Sequence, residues 1–121
     1  MLVAAGCSSK AKSTGSQRPS TTAQIQIVQP TAGEVVTGTT LQVMISLTGG
    51  TIVPTATASP LPGNVGHIHL IDNGSIVSMA FGTTQQISVT PGTHFLEAEF
   101  VASDHGSYYP RDISSVHFTA Q

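Results

Sequence analysis

Charge is the scarcest property of this 121-residue chain, with 8% of its residues charged. So little charge excludes a coiled coil or a helical protein laced with salt bridges. Four basic residues cannot lay a track for phosphates, so nucleic acid is not an expected partner. Tryptophan is absent, and cysteine occurs once, at position 7. An intramolecular disulfide is thereby excluded, and the chain beyond residue 22 has no thiol for nucleophilic or redox chemistry. The same stretch lacks lysine, a glycine-rich phosphate cradle after a strand, and a serine in a nucleophile elbow. No apolar run approaches the length of a membrane span. A binding protein rather than an enzyme is the expectation.

What the chain does have is serine, threonine and histidine. There are 14 Ser and 16 Thr, and all five histidines (His67, His69, His94, His105, His117) fall in the second half. The charges divide unevenly. Lys10, Lys12 and Arg18 lie near the start, and beyond residue 22 Arg111 stands alone against Glu34, Asp72, Glu97, Glu99, Asp104 and Asp112.

The start has its own character. Leu2-Val3-Ala4-Ala5-Gly6-Cys7-Ser8-Ser9 resembles a bacterial lipobox, in which small residues precede a cysteine whose thiol takes a lipid. Only six residues precede Cys7, fewer than the apolar region of about 7–15 residues that a working export signal needs, so the leader reads as truncated. Residues 8–22 are almost devoid of apolar side chains and read as a flexible tether. The organisation expected is a leader and tether over 1–22 and one domain over 23–121. The implied location is extracytoplasmic, either anchored to a membrane through lipid on Cys7 or secreted.

From residue 24 the hydrophobic period is two. Ile25 and Ile27 alternate with glutamines, and Leu41, Val43, Ile45 and Leu47 alternate with Gln42, Met44, Ser46 and Thr48. Pro30–Gly33 reads as a turn, and Thr51–Val65 as a loop. Asn73-Gly74, between His67–Asp72 and Ser75–Met79, is a hairpin signal, because both central residues of a type I′ turn need positive φ. Gln85–Thr90, Thr93–Ala102 and Ile113–Ala120 complete seven strands. Glu97 and Glu99 set the phase of Thr93–Ala102 by facing solvent, which turns His94, Leu96, Ala98 and Phe100 inward. Phe81, Phe100 and Phe118 are the aromatic candidates for the core, and Met44 and Met79 are assigned to packing. Seven short strands without a helix predict an all-β, antiparallel, immunoglobulin-like β-sandwich.

Gly66-His67-Ile68-His69-Leu70 carries the strongest chemical signal. Residues i and i+2 of a strand share a face about 6.5–7 Å apart, so two imidazoles can converge on one ion while Ile68 and Leu70 enter the core. His105, in the loop 103–112, is the third candidate ligand. Its neighbour Asp104 is a candidate ligand or an acceptor that orients an imidazole. Imidazole ligands suit Cu(II) or Zn(II). His94 reads as a corner residue bonded to a backbone carbonyl, and His117 faces outward without a role. Tyr108, Tyr109 and Arg111 have the composition of a contact loop, which offers a metal-free alternative of adhesion or envelope assembly through a protein or glycan partner.

The order Gly66-His67-Ile68-His69-Leu70, Asp72-Asn73-Gly74, Pro91-Gly92-Thr93-His94 and Asp104-His105 resembles small bacterial exported domains, immunoglobulin-like sandwiches found among lipoproteins and copper-handling neighbours. The resemblance spans roughly residues 25–120. It implies an extracytoplasmic binding or structural module with a candidate metal site. The chain departs from dedicated copper carriers in lacking Met-rich or His-rich tracts.

Overall fold

A computed structural model describes residues 18–53 and 61–121. Cys7, the expected lipidation site, therefore lies outside the described residues, as do Lys10 and Lys12. Nine strands are present: β1 (Gln24–Gln29), β2 (Val35–Val36), β3 (Thr40–Thr48), β4 (Thr51–Ile52), β5 (Val65–Asp72), β6 (Ser75–Ser78), β7 (Thr84–Ser88), β8 (Gly92–Ala102) and β9 (Ser107–Ala120). They form a three-stranded sheet in the order β1-β3-β7 and a six-stranded sheet in the order β2-β9-β8-β5-β4, with β6 paired to β5. Seven of these strands are those the alternation predicts. The other two, β2 and β4, have two residues each and pair in parallel with β9 and β5. Two residues cannot display a period, which is why they read as loop.

The core lies between the sheets. The small sheet supplies Ile25, Ile27, Leu41, Val43, Ile45 and Ile87, and the large sheet supplies Ile68, Leu70, Leu96, Ala98, Phe100 and Phe118. A fully buried aliphatic or Phe side chain contributes about 1.5–3 kcal/mol of transfer free energy. Asn73 (φ 49°) and Gly74 (φ 90°) both take the left-handed region, as the β5–β6 turn requires. At Gly66 the backbones of β5 and β8 approach so closely that a Cβ would stand 1.7 Å from the Val101 carbonyl oxygen. Only glycine fits there, and His67 follows directly.

The outer edge of β1 is closed by side chains of β9. Ser114 Oγ accepts the Ile27 N–H at 3.0 Å, and the Asp112 carboxylate accepts the Ile25 N–H. Because Asp112 and Ser114 share a face two residues apart, they continue the ladder from one sheet to the other.

Several expectations are corrected. Ser107–Asp112 is strand rather than loop, because β9 begins at Ser107 and then slips register, with Val101 facing Ser107 and Phe100 facing Asp112. The bulge holds Tyr108–Arg111, and a bulge breaks the alternation that would reveal a strand. Phe81 is exposed (55%) rather than in the core, and Met44 and Met79 are exposed rather than packed. Glu99 is buried, because Arg111 reaches across from the bulge to neutralise it. Residues 18–22, read from composition as tether, dock on the body. The Pro19 carbonyl accepts the Tyr109 N–H at 2.9 Å, and the Thr22 N–H donates to Asn64 Oδ1 at 2.9 Å.

Candidate metal centre

Strand β5 presents Ile68 and Leu70 to the core and turns His67 and His69 to the opposite face. Such a face would be wet in a bare sheet, yet both imidazoles are buried. The cover comes from two places. Phe81 packs edge-on against His67 with ring centroids 5.3 Å apart. The turn after β8 folds back over its neighbour β5 and lays the exposed His105 across both rings, with centroids 4.3 Å from His67 and 5.5 Å from His69. That turn is closed by His105 N–H donating to the Ala102 carbonyl at 3.0 Å and Ala102 N–H donating to the Gly106 carbonyl at 2.8 Å. His105 sits at φ 69°, a left-handed conformation that few residues other than glycine adopt.

Three nitrogens converge. His67 Nε2 lies 2.9 Å and His69 Nε2 lies 3.3 Å from His105 Nδ1. One ligand nitrogen from each of the three residues lies within 4.8 Å of the others. Two Zn–N bonds of about 2.05 Å at a tetrahedral angle separate their nitrogens by about 3.3 Å, so the observed spacing suits one ion. A ring N–H between two of these nitrogens occupies the space that an ion would take.

Electrostatics favour the neutral, ligating form. Burial pushes His67 down to about 4, helped by His105 and His69 as positive neighbours when charged. Burial also lowers His69, again with His105, while Glu99 acts in the opposite sense. Both rings are therefore neutral at neutral pH, the form in which an imidazole binds a metal. His67 Nδ1 is buried without a hydrogen-bond partner. It lacks the carbonyl or carboxylate that ordinarily orients a ligating imidazole, and its ring is positioned by packing instead.

Asp104 does not join the cluster. Its carboxylate takes both arms of the Arg18 guanidinium, at 2.8 and 3.0 Å, and accepts the Gly106 N–H at 3.0 Å. The Arg18 hydrogen bond holds its carboxyl down at about 2 against some burial. A planar guanidinium meeting a carboxylate with two bonds is the strongest partner available to it. With Arg18 assigned to a tether, the sequence offered no sign of this pairing.

The proposed contact loop is not one surface. Tyr108 is buried and stacks on Phe100, and its hydroxyl donates to the Val65 carbonyl at 2.6 Å. Arg111 binds Glu99 through two nitrogens at 2.8 and 3.1 Å. Tyr109 is exposed, and so is Arg111 although its guanidinium is committed to Glu99. The register slip in β9 drives Tyr108 inward and frees Arg111 to reach Glu99.

Glu99 is the neighbour that sequence reasoning missed. It faces His69 directly across β5 and β8, and it is held by Arg111 and by the Ser107 hydroxyl at 2.6 Å. The isolation of Arg111 among carboxylates was the available signal, since a lone cation in an acidic domain attracts a partner. Burial alone would raise the Glu99 carboxyl, but the bonds from Arg111 and Ser107 outweigh it and lower it.

His94 belongs to a separate pair. Its Nε2–H donates to the Thr90 carbonyl at 2.7 Å, the corner bond expected from the sequence, and Nδ1–H donates to Asp72 at 2.8 Å. The ring stacks on Phe118 with centroids 4.8 Å apart. His117 is exposed and packs against Phe95.

No family model and no curated protein sequence matches the chain. Among solved structures it is similar to the fibronectin(III)-like modules of Clostridium thermocellum CbhA, over 81% of this chain and 96% of that one, at 13% identity and a TM-score of 0.50. At that identity the likeness defines the fold. The chain is a fibronectin type III-like, immunoglobulin-like β-sandwich carrying a three-histidine cluster that could hold a metal ion.

Proposed function

We propose that the protein is a non-catalytic, exported binding module that takes one Cu(II) or Zn(II) ion at His67, His69 and His105. The convergence of three imidazole nitrogens within 4.8 Å, two of them from buried rings, carries this reading. Chance pairs of exposed histidines do not bury their rings and lower their proton affinity together. His105 stays exposed, so exogenous metal has an open approach and the ion keeps at least one position for water or a partner's ligand. The lipobox-like residues ending at Cys7 support attachment to the cell envelope through lipid.

Titration of the purified protein with Cu(II) and Zn(II) tests the reading. We expect one equivalent to bind, and the His67→Ala/His69→Ala variant to lose it. Equal, weak uptake by both proteins would overturn the metal site and leave a metal-free adhesion or envelope-assembly module.

A further inference from the structure

We infer that Arg18 is the positioning residue for the third imidazole: from the segment preceding β1 it grips the turn that presents His105 and so sets whether three nitrogens or two face the ion. The inference rests on the metal reading above. Four observations carry it. Arg18 Nη1 and Nη2 each donate to a different oxygen of Asp104, and Arg18 Nε donates to the Ser107 carbonyl at 2.8 Å. The guanidinium also lies close against Gly106, where an added Cβ would meet its atoms at 2.5–3.0 Å. One side chain thus touches the residues on both sides of His105, and it does so from 86 positions away in sequence. Meanwhile His105 holds a left-handed φ, a conformation that persists only where its surroundings impose it.

The turn's own two backbone bonds close the loop, and the Arg18 bonds tie that loop to the segment before β1. A guanidinium with three directed bonds fixes a plane, whereas a lone ammonium fixes only a point. The segment itself does not depend on the arginine, because Pro19, Thr21 and Thr22 have separate bonds to Tyr109 and Asn64. Removing the Arg18 side chain should therefore release the turn without undocking the segment or disturbing the core.

The test uses the full chain as wild type, Arg18→Ala, Arg18→Lys and Gly106→Ala. Cu(II) affinity is measured together with the number of coordinated imidazole nitrogens from electron paramagnetic resonance, and thermal melting confirms that each variant is folded. Arg18→Ala should bind Cu(II) about tenfold to hundredfold more weakly, the range for loss of a group that orients a ligand, and its spectrum should fall from three nitrogens to two. Gly106→Ala, which crowds the guanidinium, should weaken binding in the same direction, and Arg18→Lys should recover part of the loss. A merely structural role would lower melting while leaving the nitrogen count at three. A folded Arg18→Ala protein with three nitrogens and affinity within twofold of wild type would overturn the inference. If the wild type binds no metal, the metal reading itself falls. The nuclear Overhauser contact between the His105 and His67 rings in metal-free protein then decides this inference, its loss in Arg18→Ala sustaining the grip and its persistence overturning it.

Discussion

Histidine plays two opposite parts in this domain, and the difference lies in what each ring nitrogen meets. In the cluster, buried imidazoles face one another and are driven toward the neutral form. At His94 burial pulls the same way, but the Thr90 carbonyl and the Asp72 carboxylate together outweigh it and raise the proton affinity above the ordinary value of 6.5. A group whose proton is held more tightly in the folded state stabilises that state fully at acid pH. Its contribution fades as pH rises through the folded-state value. The wild type should therefore lose stability as pH climbs from about 6.5. Asp72→Asn should be less stable at pH 6 and flat over this interval, as read from melting temperature against pH. An undiminished alkaline fade in Asp72→Asn would show that the pair is not its source. Asp104 works at the other end of the scale. With its carboxyl held at about 2 instead of 3.8, its contribution is present above about 4 and lost on acidification toward 2.

At the scale of strands, β9 does more than pair with β8. Its early half bulges to send Tyr108 inward and Arg111 to Glu99, and its middle caps β1 through Asp112 and Ser114. Ser114→Ala leaves the Ile27 N–H without its acceptor. An unsatisfied backbone donor at a partly buried site costs about 1–3 kcal/mol, so we expect a loss of that order in urea unfolding. Amide exchange should accelerate first along β1, and uniform acceleration through every strand would contradict local capping. The same elements show how far the sequence could be read. Alternation located β3, β5 and β8, and the i, i+2 spacing of His67 and His69 pointed to two members of the histidine cluster before any fold was known. His105 followed from its place in a loop at the sheet's end. Alternation could not show that Tyr108 points inward, because the bulge resets the phase. Nor could it give Asp104 its true partner, since that depends on a segment whose composition reads as tether. Glu99 was misplaced for a similar reason: strand phase assigns a face, but it cannot say that the face is covered.

For the molecule as a whole, a bound ion and the fold are linked. An ion that binds only the folded chain stabilises it by about 2.7 kcal/mol when its free concentration is a hundred times Kd, roughly 10 °C in melting temperature for a domain of this size. We expect that rise with Cu(II) or Zn(II) in the wild type and none in the His67→Ala/His69→Ala variant. An equal rise in both would place the ion elsewhere.

The docking of residues 18–22 beside the start of β9 has a mechanical consequence. Arg18 bonds at Ser107, the first residue of β9, while Gln121 follows Ala120, the last. The described chain thus enters at the histidine pole and leaves at the opposite pole, about 30 Å away at the usual rise per residue, since Ser107 and Ala120 lie opposite Val101 and Gly92 of β8. Strands β1 and β9 run side by side in the same direction between those poles, joined at Ile25–Asp112 and Ile27–Ser114. Tension applied through the two ends would load these strands along their length. Their hydrogen bonds would then have to yield together in shear instead of unzipping one at a time, and the first bonds under strain would be those of Arg18 beside the His105 turn.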